Sequence, residues 1–530
     1  MRGKAVLVCG LVVALALIGF SGLRALREHP DGQVQTKGRF VAAHRGGHRV
    51  PTTFPTVQHR PFRSPVEIRS HHGVLRTTFT AKPTTFTVAG ARIRGYAFQG
   101  RFMGPTLRVR PGDTIRIRVR DRLGQPTNLH THGMYVSPIG VSDNVLRVMK
   151  PGSSNRVVIK LPRNIEPGTY WYHTHLHGLT EKQVFAGLSG VLIVEGLTDR
   201  LPDQLRGIPQ HVVALKDLQV HNGAIVTSNI DSDAPTTRTV NGQVDPVLSV
   251  RTNQTQLLRL ANIGADIWYR LHLTGAWFRV IAEDSNPVAR VWVANQLVLP
   301  PGKRFDVLVR WPRPGAYALR TLRYSTGPAG DDYPARRLMT VRVKGPAVPV
   351  QAWPRSLGPA SPLATDHVAR TRHLVFSENT KTNQFFIDGK QFDAKHINIV
   401  AKLGTTEQWI IRNTSAEEHP FHIHVNDFLV MSVNGKPYHA RSEQDVVPLP
   451  AHGTVRIRMH FSRFVGLTVF HCHILAHEDH GMMGIIDITR TGRASPAALA
   501  TLHRMYDEMA SAHTMDMGDT TNNMPDGSMK

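Results

Sequence analysis

Residues 466–484, Gly-Leu-Thr-Val-Phe-His-Cys-His-Ile-Leu-Ala-His-Glu-Asp-His-Gly-Met-Met-Gly, constrain this chain more than any other stretch. Leu467, Val469 and Phe470 supply the β-favouring bulk of a strand. Side chains alternate faces along a strand, so His471 and His473 share one face and Cys472 takes the other. The triplet can therefore address two metal sites at once. Cys472 faces a site that His477 and Met482 can complete after the chain turns back at Gly481. A thiolate, two imidazoles and a weak thioether are the ligand set of a blue-copper centre. The second imidazole has to come from elsewhere in the chain. Cys472 alone would read as an ordinary buried thiol. Four histidines and a methionine at these offsets argue against that.

The rest of the chain supplies the partners through repetition. From about residue 65, alternating apolar runs are broken by Pro-Gly and other Gly-containing turns, which is a strand pattern. Leu107-Arg-Val-Arg-Pro-Gly-Asp-Thr114 begins a strand that reaches Val119, Leu248–Thr255 one that reaches Leu260, and Ile397–Gly404 one that reaches Ile411. A second landmark recurs in phase: Gly168 to His173, Gly315 to Arg320 and Gly466 to His471. Three all-β units of sandwich size follow, at about 65–200, 201–345 and 365–490. The first has Leu129-His-Thr-His-Gly133 and His173-Thr-His175. The third has His419-Pro-Phe-His-Ile-His424 and His471-Cys-His473 at the matching places. At those places the middle unit keeps only His272, which reads as a structural residue. Units one and three carry the metal chemistry, and unit two separates them.

Each His-x-His sets two imidazoles on one strand face, about 6.5 Å apart along the backbone. That spacing suits two ions side by side, each taking one imidazole from each pair. The pairs are His130/His132, His173/His175, His422/His424 and His471/His473. Imidazole suits several metals, and the Cys472 centre decides for copper.

With these motifs the chain resembles the three-domain multicopper oxidases of the laccase and cuprous-oxidase type. Gly104-Pro-Thr-Leu-Arg-Val-Arg-Pro-Gly-Asp113 also resembles that family's first-domain opening, and the likeness runs from about residue 70 to 488. The resemblance implies three consecutive cupredoxin-like Greek-key β-sandwiches and four copper ions. The blue copper would take His419, Cys472 and His477, with Met482 axial. Of the paired coppers, one would take His132, His173 and His473, the other His175, His424 and His471. The remaining copper would take His130 and His422. Met482 stands where some members have Leu or Phe, which implies a moderate potential. Electrons would come in at a solvent-facing His477 and cross from Cys472 to His471 and His473. At the cluster they would reduce dioxygen to water. Asp143 and Glu478 resemble the family's proton-relay acids, and both also read as solvated loop acids. The reductant would be a small phenol or a metal ion. A dedicated Cu(I) or Fe(II) oxidase is the reading closest to this one. A non-catalytic copper-binding repeat protein would be expected to have lost ligands that are present here.

The ends of the chain set its location. Residues 5–23 are uncharged behind Arg2 and Lys4, which reads as a signal peptide or an uncleaved anchor and an extracytoplasmic protein. Residues 24–64 form a basic linker in which His44, His48 and His59 are scattered. Of 2 cysteines one lies in the apolar run, so the folded body has no internal disulfide. The net charge of +25 is spread largely over solvated strand faces such as Arg116-Ile-Arg118-Val-Arg120. It favours an anionic membrane or cell-wall surface. No basic stretch is interleaved with stacking aromatics, which argues against specific nucleic-acid recognition. Residues 491–530 read as a short helix from Ser495-Pro496 to about Ser511, then a tail with His513, Met515, Met517, Met524 and Met529. Those thioethers suit cuprous ion, or the tail is disordered and happens to contain Met.

Overall fold

The computed structural model describes residues 59–508 in side-chain detail, except 89, 229, 231–235 and 495, and the backbone of a last helix as far as 517. The apolar N-terminal run, the linker up to residue 58, Met524 and Met529 lie outside the described residues, and of Met515 and Met517 only the helical backbone is described. Among the described residues no helix is long and apolar enough to cross a membrane.

The strand pattern becomes three β-sandwiches, each pairing a five-stranded with a six-stranded sheet. The repeating runs break where the sequence reading carries one strand through. Thr106–Val109 joins the five-stranded sheet of the first sandwich, and Thr114–Asp121 joins the six-stranded one. Val247–Arg251 and Gln256–Asn262 divide in the same way in the second sandwich, as do Ile399–Lys402 and Thr405–Asn413 in the third. The turn inside each run is the corner at which the chain changes sheets. Gly112 at φ +88° and Gly404 at φ +78° take backbone conformations that disfavour a Cβ there.

Each sandwich has its own core. Phe79, Phe98, Ile117 and Tyr172 fill the first, Leu260, Trp268, Phe278 and Trp311 the second, and Trp409, Phe421, Ile457 and Phe470 the third. The boundaries are not clean in space. The hairpin Val220–His221 and Ala224–Ile225, from the middle segment of the sequence, extends the first sandwich's six-stranded sheet through Ala224 beside Arg94. Val145 and Leu146 of the first sandwich pack with Leu467, Val469 and Ile485 of the third, which brings the two histidine-bearing units together. Leu502 of the C-terminal helix Pro496–Met517 is buried in that same cluster.

Candidate metal centres

Cys472 ends the strand Gly466–Cys472, which pairs on one side with Met483–Thr489 and on the other with His419–Ile423. The second pairing sets Phe421 opposite Cys472 and brings His419 to the thiol. His477 arrives on the short helix Leu475–Asp479. Cys472 Sγ lies 3.7 Å from Nδ1 of His419 and 3.7 Å from Nδ1 of His477, and the two nitrogens are 3.2 Å apart. A metal at the centre of a flat triangle, with ordinary metal–sulfur and metal–nitrogen bonds, needs sulfur–nitrogen edges of about 3.8 Å. The donors thus stand where an ion would hold them. Gly481 turns the chain at φ +116°, where a Cβ would strike Phe385 O at 2.8 Å. The buried Met482 follows, with its N–H donating to His477 O (2.9 Å) and its carbonyl accepting from Cys472 N (3.0 Å).

The electrostatics fit the same occupant. Burial pushes the Cys472 thiol well above its usual range. Burial also takes His419 down to about 3, so its imidazole is neutral and keeps a lone pair. A thiolate here needs a cation beside it, and the neutral imidazoles can share one. His477 is 8% exposed, less than a solvent-facing residue, because the ring of Phe385 stacks on it at 4.0 Å.

The eight paired histidines meet between the first and third sandwiches. Strand register puts His130 opposite His173 and His422 opposite His471. Within the His-x-His pairs the ring centroids are 5.8, 5.4, 5.0 and 5.5 Å apart, all shorter than the backbone spacing. Several of their outer nitrogens are anchored, whereas Nδ1 of His473 has no hydrogen-bond partner among the described residues. Nδ1 of His130 meets both oxygens of Asp143 at 3.1 Å. His173 Nδ1 donates to Thr174 O (2.8 Å), His422 Nδ1 to Asp445 O (2.8 Å) and His471 Nδ1 to Cys472 O (2.7 Å). Such anchors fix the tautomer and turn the Nε2 lone pair inward.

Inside, those lone pairs have nothing from the protein to bind. Nε2 of His130, His132, His173, His422 and His473 is buried without a hydrogen-bond partner. Nε2 of His471 sits 3.2 Å from Nε2 of both His175 and His424. Converging lone pairs repel unless a cation lies among them, so the donor set fits metal. His175, His424 and His471 form one tight group of donors, and His130, His422 and His424 another. His132, His173 and His473 are looser, with centroids 4.8, 5.9 and 6.1 Å apart.

Both proposed acids are buried rather than solvated. Burial lifts Asp143 to about 7 against the opposing hydrogen bond from Thr131 N. Glu478 is raised well above the carboxylate range by burial and then by neighbouring Asp479. Its two oxygens lie 3.3 Å from His175 Nδ1 and 3.2 Å from His471 Nδ1.

The middle sandwich does more than separate the other two. Gly302 presses against the cluster at φ +84°, where a Cβ would meet Nε2 of His473 at 2.9 Å and of His132 at 3.1 Å. Two residues on, Arg304 is fully buried and grips Asp445 through two hydrogen bonds of 2.6 and 2.7 Å. Its Nη1 also lies 3.4 Å from His132 Nδ1. Pro301-Gly302 is legible in the sequence as a turn, but nothing local says that the turn reaches His132 and His473. His272, by contrast, hydrogen-bonds Asn295 O at 2.9 Å, away from the cluster.

Three family profiles, each described as multicopper oxidase, match residues 80–199, 211–342 and 366–491. The chain belongs to the multicopper oxidases, copper-dependent oxidoreductases that use dioxygen and a reducing substrate. It is 28% identical over 402 residues to the multicopper oxidase mco of Staphylococcus haemolyticus, covering 74% of this chain and 83% of that protein. It is 27% identical over 359 residues to the cell division protein FtsP of Photorhabdus laumondii, covering 64% of this chain and 73% of that one. A solved structure described as a multicopper oxidase from Campylobacter jejuni, a metallo-oxidase, superposes with a TM-score of 0.72 at 25% identity. It covers 83% of this chain and 96% of that chain.

Proposed function

We propose that the chain is an exported, laccase-like oxidase that couples one-electron oxidation of a small reductant to four-electron reduction of dioxygen to water. The observation that carries this reading is the complete set of inward-facing donors: Cys472 with two Nδ1 atoms on one side of a strand, eight histidines on the other. Copper supplies the redox chemistry: His419, Cys472, His477 and Met482 would hold one ion, and His130, His132, His173, His175, His422, His424, His471 and His473 a cluster of three.

The protein's own residues do the rest. Cys472 is bonded through backbone to both His471 and His473, so the two centres share a covalent connection. Phe385 over His477 keeps water from the small centre and leaves one imidazole edge for a donor. Asp143 and Glu478, each touching cluster histidines through Nδ1, would hold and deliver the protons that water formation consumes.

A second reading, oxidation of a metal ion, is favoured by two carboxylates. Glu417 Oε2 is 3.9 Å from His477 Nε2, and Glu378 Oε2 is 3.5 Å from His419 Nε2. Negative charge beside the donor imidazoles favours a cationic reductant over a phenolate. Steady-state oxygen uptake with Cu(I), Fe(II) and a methoxyphenol tests both. A blue protein that consumes oxygen with any of the three supports the oxidase. A metal ion giving much the highest kcat/KM supports the second reading. A colourless protein that takes up no oxygen with any of them would make it a copper-binding scaffold.

A further inference from the structure

The six-stranded sheet of the first sandwich turns its outer face to solvent as a plane of cations. Thr114–Asp121 is its penultimate strand and alternates buried Ile115, Ile117 and Val119 with exposed Arg116, Arg118 and Arg120. The neighbouring strands add Arg76 on one side and Arg156 and Lys160 on the other, all exposed. Register stacks like on like: Arg76 is opposite Arg116, and Arg118 is opposite Arg156. Neighbouring strands lie about 4.8 Å apart, and like charges directly opposite each other destabilise a sheet.

Among the described residues no carboxylate forms an ion pair with Arg76, Arg116, Arg118, Arg120 or Arg156. The six strands of the sheet contain one carboxylate, Asp121, which is buried and accepts a hydrogen bond from Leu123 N. Between the cations stand the uncharged side chains of Thr78, Thr80, Ser154 and Val158, so no anion on these strands is interleaved with them. The third sandwich shows that the fold does not require such a face. Its corresponding strand Thr405–Asn413 turns Gln408, Ile410 and Arg412 outward, so Arg456 and Arg458 on the next strand stand opposite Ile410 and Gln408 rather than opposite arginine, and Arg458 is held by the carbonyls of Leu363 and Ala364 at 3.2 and 2.9 Å.

We infer that this face docks the folded body onto the anionic headgroup plane of a lipid bilayer. A dense array of exposed guanidinium groups without interleaved carboxylates complements a surface of phosphates, and Arg can engage phosphate through paired hydrogen bonds. Arg76, Arg116, Arg118, Arg120 and Arg156 have no aromatic among them on which bases could stack, which sets single-stranded nucleic acid aside. The uncharged residues 5–23, long enough for a bilayer core, favour lipid over a duplex. The inference does not depend on which reductant the enzyme takes.

The full-length, copper-loaded chain is reconstituted into phosphatidylcholine vesicles with and without about one part in three of phosphatidylglycerol. Arginines are then modified with p-hydroxyphenylglyoxal and read out by peptide mass spectrometry. Arg76, Arg116, Arg118, Arg120 and Arg156 are expected to react about fivefold more slowly on the anionic vesicles. High salt should restore their rates, and Arg336 and Arg342 on the second sandwich should not change. The combined variant Arg116→Gln, Arg118→Gln, Arg120→Gln should keep its copper and its turnover yet lose the protection of Arg76 and Arg156. Equal rates on both kinds of vesicle would overturn the inference, as would protection spread to Arg336 and Arg342 or protection that survives in the variant. Protection by a DNA duplex, but not by the anionic vesicles, would reassign the face to nucleic acid.

Discussion

Asp143 meets Nδ1 of His130 with both carboxylate oxygens, and its own pKa is lifted by burial to about 7. An asparagine there can still accept the His130 N–H through its carbonyl, but it cannot give up a proton. Asp143→Asn should leave reduction of the blue centre by substrate unchanged and slow reoxidation by oxygen about a hundredfold. Stopped-flow absorbance separates the two steps. Because the folded carboxyl keeps its proton below about pH 7, the parent's reoxidation should fall as pH rises through that value. The variant should lack that slope, and equal pH profiles would remove Asp143 from proton delivery. Arg304 tests a different kind of residue. Arg304→Ala leaves the buried Asp445 without its cation, while Asp284 keeps Lys303 at 2.8 Å, and should cost about 3–5 kcal/mol in chemical denaturation. At this scale the histidines were legible because strand alternation turns His-x-His into a statement about one face. Arg304 and Asp445 were not legible, because only tertiary contact between different sandwiches tells a gripped charge from a solvated one. The burial of Asp143 and Glu478 was beyond the sequence for the same reason.

Four strand elements build the cluster: His130–His132 and Gly168–His173 from the first unit, His419–Ile423 and Gly466–Cys472 from the third. Their pairing was implied by the repeat, since equivalent motifs occupy equivalent strands. What the repeat hid was the corner between sheets, where a run that reads as one strand is two. It also hid the second sandwich's turn at Gly302, whose role depends on packing against His132 and His473 rather than on any local pattern. Gly302→Ala tests that turn. A methyl group has no room between the two imidazoles, and the positive φ adds to the cost. The variant should fold, with unchanged far-ultraviolet circular dichroism, and keep its blue colour, but lose copper from the cluster and oxygen uptake with it. Full copper content in a folded Gly302→Ala protein would show that the turn merely abuts the site.

Over the whole molecule, the histidine cluster ties the first sandwich to the third, with the second wedged against it through Gly302 and Arg304. Metal that binds only the folded arrangement stabilises it by mass action, by about 4 kcal/mol at a thousandfold excess over Kd. Chelation of copper should therefore lower Tm and loosen the cooperativity with which the three units unfold, both readable by calorimetry. A transition unchanged by copper removal would mean that apolar contacts such as Val145 with Leu467 hold the units together unaided. The central claim is that Cys472 belongs to the small centre alone and links it to a separate oxygen-reducing cluster. Cys472→Ser measures that directly, because it leaves all eight cluster histidines in place. The variant's copper content, visible absorption and oxygen uptake with a reductant should be determined on one preparation. The account predicts that the blue band and turnover vanish while the copper of the cluster is retained. A variant that stays blue, or that oxidises its donor at the parent's rate, would contradict it.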